Sequence, residues 1–139
     1  MRKFNHTVTK AAGVAVAALM MIGMSADAAG SKTYVNVSTN LCLDSNANRS
    51  VYTLGCNGGN YQKWESQGNR LVNVATGLCL DSNANRSVYT LGCNGGNYQN
   101  WYESGKRLIN GATSLCLDSN ANGSVYTLGC NGGNYQDWY

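Results

Sequence analysis

Apolar residues along this chain fall into two unlike arrangements. Near the start they form one block: Ala11–Met24 is a run of 14 apolar residues and glycines. From residue 30 onward they come in runs of three or four, broken by Ser, Asn, Asp and Gly. No stretch there keeps a 3.6-residue apolar period long enough for a helix. In the first unit, Tyr34–Val37, Leu41–Leu43, Val51–Leu54 and Gln62–Glu65 read as short strands with β-branched or aromatic residues. Between them, Ser38–Asn40, Ser45–Ser50, Gly55–Asn60 and Ser66–Asn69 read as turns, because glycine and asparagine tolerate positive φ.

The strand-and-turn pattern repeats. LCLDSNANRSVYTLGCNGGNYQ occupies Leu41–Gln62 and returns unchanged at Leu78–Gln99. A third copy at Leu115–Gln136 differs once, with Gly123 in place of Arg49 and Arg86. The 37-residue offset also relates Trp64, Trp101 and Trp138, and it extends upstream through Asn36, Asn73 and Asn110. Periods of 20–50 residues belong to solenoids, propellers and closed arrays. An open solenoid needs distinct capping repeats, and here the first and last copies look like the middle one. The pattern therefore predicts an all-β domain of about twelve short strands closed around a pseudo-threefold axis. The smallest fold of that description is the β-trefoil, here with repeats 29–65, 66–102 and 103–139.

The early apolar block changes the reading of the rest. Arg2, Lys3 and Lys10 precede it, and Ala26-Asp27-Ala28 follows it. This is the layout of a cleaved secretory signal over 1–28. A transmembrane span would want ~20 apolar residues. Without that segment the chain has 111 residues, seven basic and six acidic, and no His. The basicity thus belongs to the export segment, and neither nucleic-acid binding nor membrane insertion is expected. Export also predicts an oxidising compartment for the six Cys, all of which lie after residue 28. Six Cys allow 15 pairings, but each repeat holds two of them, 14 positions apart. The expected bridges are Cys42–Cys56, Cys79–Cys93 and Cys116–Cys130. A zinc site would want His or a Cys-x-x-Cys spacing, and the repeats have neither.

Two motifs recur at fixed places in the repeat. Gln-x-Trp appears as YQKW, YQNW and YQDW, and Cys-Leu-Asp as Cys42-Leu43-Asp44, Cys79-Leu80-Asp81 and Cys116-Leu117-Asp118. Together they resemble the signature of the ricin-B-type β-trefoil lectins. The combination LDSN…VYTL…NGGNYQ-x-W is similar, more narrowly, to a bacterial member of that family that binds high-mannose glycans. The resemblance implies one shallow sugar pocket per repeat. It places them on Asp44, Tyr52, Leu54, Asn57 and Tyr61; on Asp81, Tyr89, Leu91, Asn94 and Tyr98; and on Asp118, Tyr126, Leu128, Asn131 and Tyr135. The chain departs from that member at Ala47, Ala84 and Ala121, where it has an aromatic residue, and at Gly55, Gly92 and Gly129, where it has proline.

The chemistry of the implied set suits a sugar. A carboxylate accepts hydroxyl hydrogen bonds, Asn both donates and accepts, and a Tyr ring covers the C–H face of a pyranose. Plainer readings stand beside it. Asp44 is also a turn-capping residue, Tyr52 and Tyr61 are also core candidates, and Asn57-Gly58-Gly59-Asn60 is also simply a turn. Trp64, Trp101 and Trp138 are assigned to the core. Asp118–Gly123 opens like a calcium loop, but position 12 is Gly129 and the flanks read as strands. Enzymatic chemistry is poorly supported: without His no Ser–His or Cys–His pair forms, and the repeated acids come one per lobe. The expectation is a secreted lectin without metal or cofactor, binding mannose-rich glycans through three near-equivalent sites. Binding of a polysaccharide such as xylan or a galactoside is the alternative, and protease inhibition by one loop is a more distant one.

Overall fold

The computed structural model describes residues 30–139. The export segment expected over 1–28 lies outside the described residues. The strands are β1 (Ser31–Lys32), β2 (Cys42–Ser45), β3 (Val51–Leu54), β4 (Trp64–Gln67), β5 (Arg70–Asn73), β6 (Cys79–Ser82), β7 (Val88–Leu91), β8 (Trp101–Ser104), β9 (Arg107–Asn110), β10 (Cys116–Ser119) and β11 (Val125–Leu128). Three one-turn 3-10 segments, Asn60–Gln62, Asn97–Gln99 and Asn134–Gln136, are the helical pieces among the described residues. The fold is an all-β trefoil of three repeated lobes.

Several sequence expectations shift in detail, the strand expected at Leu41–Leu43 running Cys42–Ser45. Gln62 lies in a 3-10 turn rather than in a strand, so the strand expected at Gln62–Glu65 begins at Trp64 and runs to Gln67. The reason is that the Gln62 amide turns inward to bond with loop and strand groups, which an extended backbone there would not allow. Tyr34–Val37 pairs through single bridges, Val35 with Cys42 and Asn36 with Trp138, while its counterparts β5 and β9 are full strands.

Each lobe is built on one hairpin. In β2–β3, Asp44 faces Tyr52 and Ser45 faces Val51 across an antiparallel ladder, and β6–β7 and β10–β11 repeat that register. The connecting turn is held by Asn46, whose Oδ1 accepts from the Asn48 and Ser50 N–H groups at 2.9 and 3.1 Å. Its last residue is left-handed, with φ of 72° at Arg49 and Arg86 and 86° at Gly123. Glycine is the residue least strained there, so the one changed letter of the third copy suits its position.

That turn also closes the molecule. The Thr90 N–H donates to Arg49 O, Thr127 N–H to Arg86 O, and Thr53 N–H to Gly123 O, at 2.9–3.0 Å. The second lobe thus binds the first, the third binds the second, and the first binds the third. At the other end of the lobes the third lobe returns to the first: Val35 and Tyr139 exchange N–H···O bonds of 2.7 and 2.9 Å.

The core follows the same symmetry. Leu43, Leu80 and Leu117, then Val51, Val88 and Val125, then Trp64, Trp101 and Trp138 each supply one buried side chain per lobe. A fourth set is Tyr34, Leu71 and Leu108, the only set in the cluster with unlike members. The indole N–H of each Trp donates to a backbone carbonyl, of Leu43, Leu80 or Leu117, at 3.0–3.1 Å. The core assignment of the three tryptophans therefore holds, with their polar atom satisfied.

Candidate binding site in each lobe

Strand alternation decides which residues face outward. In β2–β3, Leu43 and Val51 enter the core. Their neighbours Cys42, Asp44, Tyr52 and Leu54 then lie on the opposite face, because side chains alternate along a strand. Cross-strand pairing puts Asp44 beside Tyr52 and Cys42 beside Leu54. Two of the expected site residues thus come together by register alone, and a third joins them one step along.

The remaining two arrive on the loop that follows β3. Three features tie the Gly55–Tyr61 loop down. Cys56 is bridged to Cys42, as Cys93 is to Cys79 and Cys130 to Cys116. Gln62 is buried behind the loop, where its Nε2 donates to Asp44 Oδ2 at 2.7 Å and to Gly55 O at 3.0 Å, while its Oε1 accepts from the Asn57 N–H at 2.9 Å. Asn57 Oδ1 accepts from the Gly59 N–H at 2.8 Å, closing the small turn before Tyr61. The same bonds recur around Gln99 and Gln136 within 0.1 Å. A buried amide just beyond the loop that binds a strand carboxylate and two groups at the loop's start leaves that loop little freedom.

Asp44 is itself only 3% exposed. Its Oδ1 accepts from the Ser45 N–H at 2.8 Å and its Oδ2 from Gln62, so both oxygens are engaged, each with acceptor capacity left. The turn-capping role considered for Asp44 falls instead to Asn46. Tyr52 is half-buried and its hydroxyl donates to Ser45 O at 3.2 Å. Burial pushes its phenol pKa up, and the neighbouring Asp44 carboxylate adds to the push. Tyr89 and Tyr126 shift in the same direction, burial first and then Asp81 or Asp118. Tyr61, Tyr98 and Tyr135 are exposed to nearly the same degree, between 39% and 41%.

In the third lobe these groups line one open cleft of about 490 Å³. Asp118, Tyr126, Leu128, Asn131 and Tyr135 all contribute to it, together with Ser119, Asn120, Ala121, Asn122 and Gly133. Asp gives acceptors, the Asn131 amide nitrogen a donor, Tyr126 and Tyr135 aromatic surface, and Leu128 an apolar edge. Sequence reasoning missed Asn120 as a wall of the cleft and the bond from Gln to Asp behind it. The signal for the latter was present, since Asp and Gln repeat in step in all three copies.

A family model described as the ricin-type beta-trefoil lectin domain matches residues 31–138. The chain belongs to this family of carbohydrate-binding domains. Among solved structures similar to this lectin domain is the designed threefold-symmetric protein ThreeFoil. It shows 23% identity and a TM-score of 0.70, over 78% of this chain and 96% of that one. The β-trefoil lectin of the Vibrio vulnificus hemolysin/cytolysin, solved with N-acetyl-D-lactosamine bound, is 26% identical with a TM-score of 0.69, over 79% and 92%. The C-half of an earthworm R-type lectin, in complex with GalNAc, is 13% identical with a TM-score of 0.69, over 79% and 96%. At this distance the first and third speak for the fold alone. The three disulfides of this lectin domain fit an extracellular location.

Proposed function

We propose that the protein is a secreted lectin that binds mannose-rich glycans through three near-equivalent sites, one per lobe, and carries out no chemistry of its own. One observation supports this most. Asp, two Tyr, Leu and Asn recur in every lobe with the same hydrogen bonds behind them, and in the third lobe all five line a single open cleft. The mannose assignment comes from the LDSN…VYTL…NGGNYQ-x-W resemblance, which is to actinohivin, a bacterial lectin for high-mannose glycans. Each shallow site binds weakly alone, and three on one rigid body raise avidity by ~10²–10⁴ where a branched glycan reaches more than one.

A second reading has its own support. The Vibrio vulnificus lectin was solved with N-acetyl-D-lactosamine, so galactosides are the competing ligand class. A glycan array carrying mannose, galactose and xylan structures separates the two. Titration of a mannose oligosaccharide should then give three sites per chain, and Tyr61→Ala, Tyr98→Ala and Tyr135→Ala together should abolish binding without unfolding. An array silent for mannose and bright for galactosides would replace the ligand and keep the lectin.

A further inference from the structure

The face of the sheet that carries each site does not end at the site. Paired residues form a continuous row across it. In the third lobe the row runs Leu128, Cys116, Ile109, Tyr102, each the direct cross-strand partner of the next. In the second it runs Leu91, Cys79, Val72, Glu65. In the first it runs Leu54, Cys42, Val35, Tyr139, the last pair joined by two backbone hydrogen bonds. Directly paired residues project to one side of a sheet, so each row shares a face with its site residues. Strands lie ~4.8 Å apart, so three steps place the far residue about 14 Å from the site leucine. In the second lobe this face holds a recess of about 350 Å³, lined by Cys93, Val72, Val74 and Glu65.

The far ends of the rows are where the three lobes stop being alike. Tyr102 and Tyr139 are 47% and 52% exposed, and each ring lies against a neighbouring group. The Tyr139 hydroxyl donates to Asn40 Oδ1 at 3.2 Å, and the Asn40 carbonyl in turn lies 3.8 Å from Cys56 Sγ. That ring therefore leans back toward the loop of the first site. Tyr102 lies over Gly111, where an added Cβ would stand 3.0 Å from its Cε2. The positions equivalent to Gly111 are Val37 and Val74. In the second lobe Glu65 takes the place of the tyrosine, and its Oε1 accepts from Gln67 Nε2 at 3.0 Å.

We propose that these rows make the three sites unequal toward longer glycans. Tyr102 extends the third site and Tyr139 the first, each adding a third tyrosine as a platform for a distal pyranose ring of one continuous oligosaccharide. The second site lacks that platform and holds the chain end only. A tyrosine ring covers a C–H face while its hydroxyl keeps a polar partner, and a monosaccharide does not span the distance. This inference rests on the lectin reading and adds the length of the ligand to it.

The test uses the intact labelled protein. Methyl mannoside and linear mannopentaose are titrated beside the matching galactose and xylose series, and binding is read from the amides of Asn57, Asn94 and Asn131. Mannopentaose, or the pentamer of whichever series binds, should bind the first and third sites more tightly than the second. Tyr139→Ala and Tyr102→Ala should each lower affinity for it at their own site by about three- to tenfold. Affinity for the monosaccharide should stay within about twofold. Glu65→Tyr with Val74→Gly should raise the second site by a similar factor, which no loss of folding can imitate. Equal pentamer affinity at all three sites, unchanged by the two Ala variants, would overturn the inference while leaving the lectin. If no sugar of any series moves the three amides, both readings fall.

Discussion

At the scale of single residues, the pocket aspartates are structural before they meet any ligand. Asp44 holds the Ser45 N–H and the buried Gln62 amide. Asp44→Ala strands both donors, and Asp44→Asn turns an amide NH₂ against the Gln62 Nε2. An unsatisfied buried donor costs about 1–3 kcal/mol, so Asp44→Asn should lose about that much in chemical denaturation and Asp44→Ala, with two donors stranded, about twice as much. Tyr61→Ala, at an exposed position, should change stability by less than about 0.5 kcal/mol. Binding loss in the Tyr variant is therefore the cleaner evidence for the site. The resemblance pointed to the aspartate, and Gln62 repeats in step with it, but the two stand 18 residues apart and only the folded loop brings them together. Tyr34 gives a second residue-scale prediction. Burial, reinforced by the charge of Glu103 that its hydroxyl touches at 3.2 Å, raises its pKa to about 12. The folded state thus favours the neutral phenol, while the unfolded chain releases the proton near the ordinary value of 10.0. Its contribution to stability is complete below pH 10 and is lost as pH rises toward 12. Denaturation midpoints should fall across that window, and Tyr34→Phe should shrink the fall, leaving the part due to Tyr52, Tyr89 and Tyr126.

At the scale of elements, the loop after each hairpin decides whether a site exists. The hairpins themselves were legible: VYTL was read as a strand with its observed bounds, and alternation alone sends Asp44, Tyr52 and Leu54 to one face. The disulfides were legible from the two-per-repeat spacing. The 3-10 turn at Asn60–Gln62 was not, since Asn60 reads as the end of the preceding turn and Gln62, followed by Lys and Trp, as the start of a strand. Tertiary hydrogen bonds from the Gln62 side chain overrode that local preference. The loop's hold on its hairpin can be tested one lobe at a time. Replacing Cys79 and Cys93 by Ser frees a loop of ~15 residues, worth about 3 kcal/mol in the chain-entropy model. Unfolding should shift by about that amount. In sugar titrations the second site should weaken while the first and third keep their affinity, because their own bridges and glutamines are untouched. Equal weakening of all three sites would show that the loops are coupled through the core.

At the scale of the whole molecule, the 37-residue period announced the threefold closure, and what it left open was how a linear chain closes the ring. The answer lies in the pair Val35–Tyr139, which stands where the other lobes have a covalent hairpin turn at Gly68–Asn69 or Gly105–Lys106. Non-covalent bonds hold that seam: the backbone pair, the Asn36 Nδ2 donating to Tyr135 O at 2.9 Å and the Tyr139 hydroxyl donating to Asn40 Oδ1 at 3.2 Å. The other two seams should therefore tolerate a break as well. A synthetic fragment Asn69–Gly105 contains β5, β6, β7 and β8 and its own disulfide, and its ends fall in the two turns. Alone it cannot bury Trp101, because each core set takes one residue from every lobe. Three copies can rebuild each set, with Leu71 in place of Tyr34 and Leu108. They can also remake the ring in which the Thr90 N–H meets the Arg86 carbonyl of the next copy, as Thr127 does in the intact chain. Short linkers supply effective concentrations in the millimolar range. The oxidised fragment should accordingly be unfolded at micromolar concentration and assemble as it approaches millimolar. Sedimentation should then give three copies per particle, and strand signal in circular dichroism should rise with mass. A folded monomer at low concentration, or a particle of two or four copies, would mean that the axis is not what holds a lobe in shape.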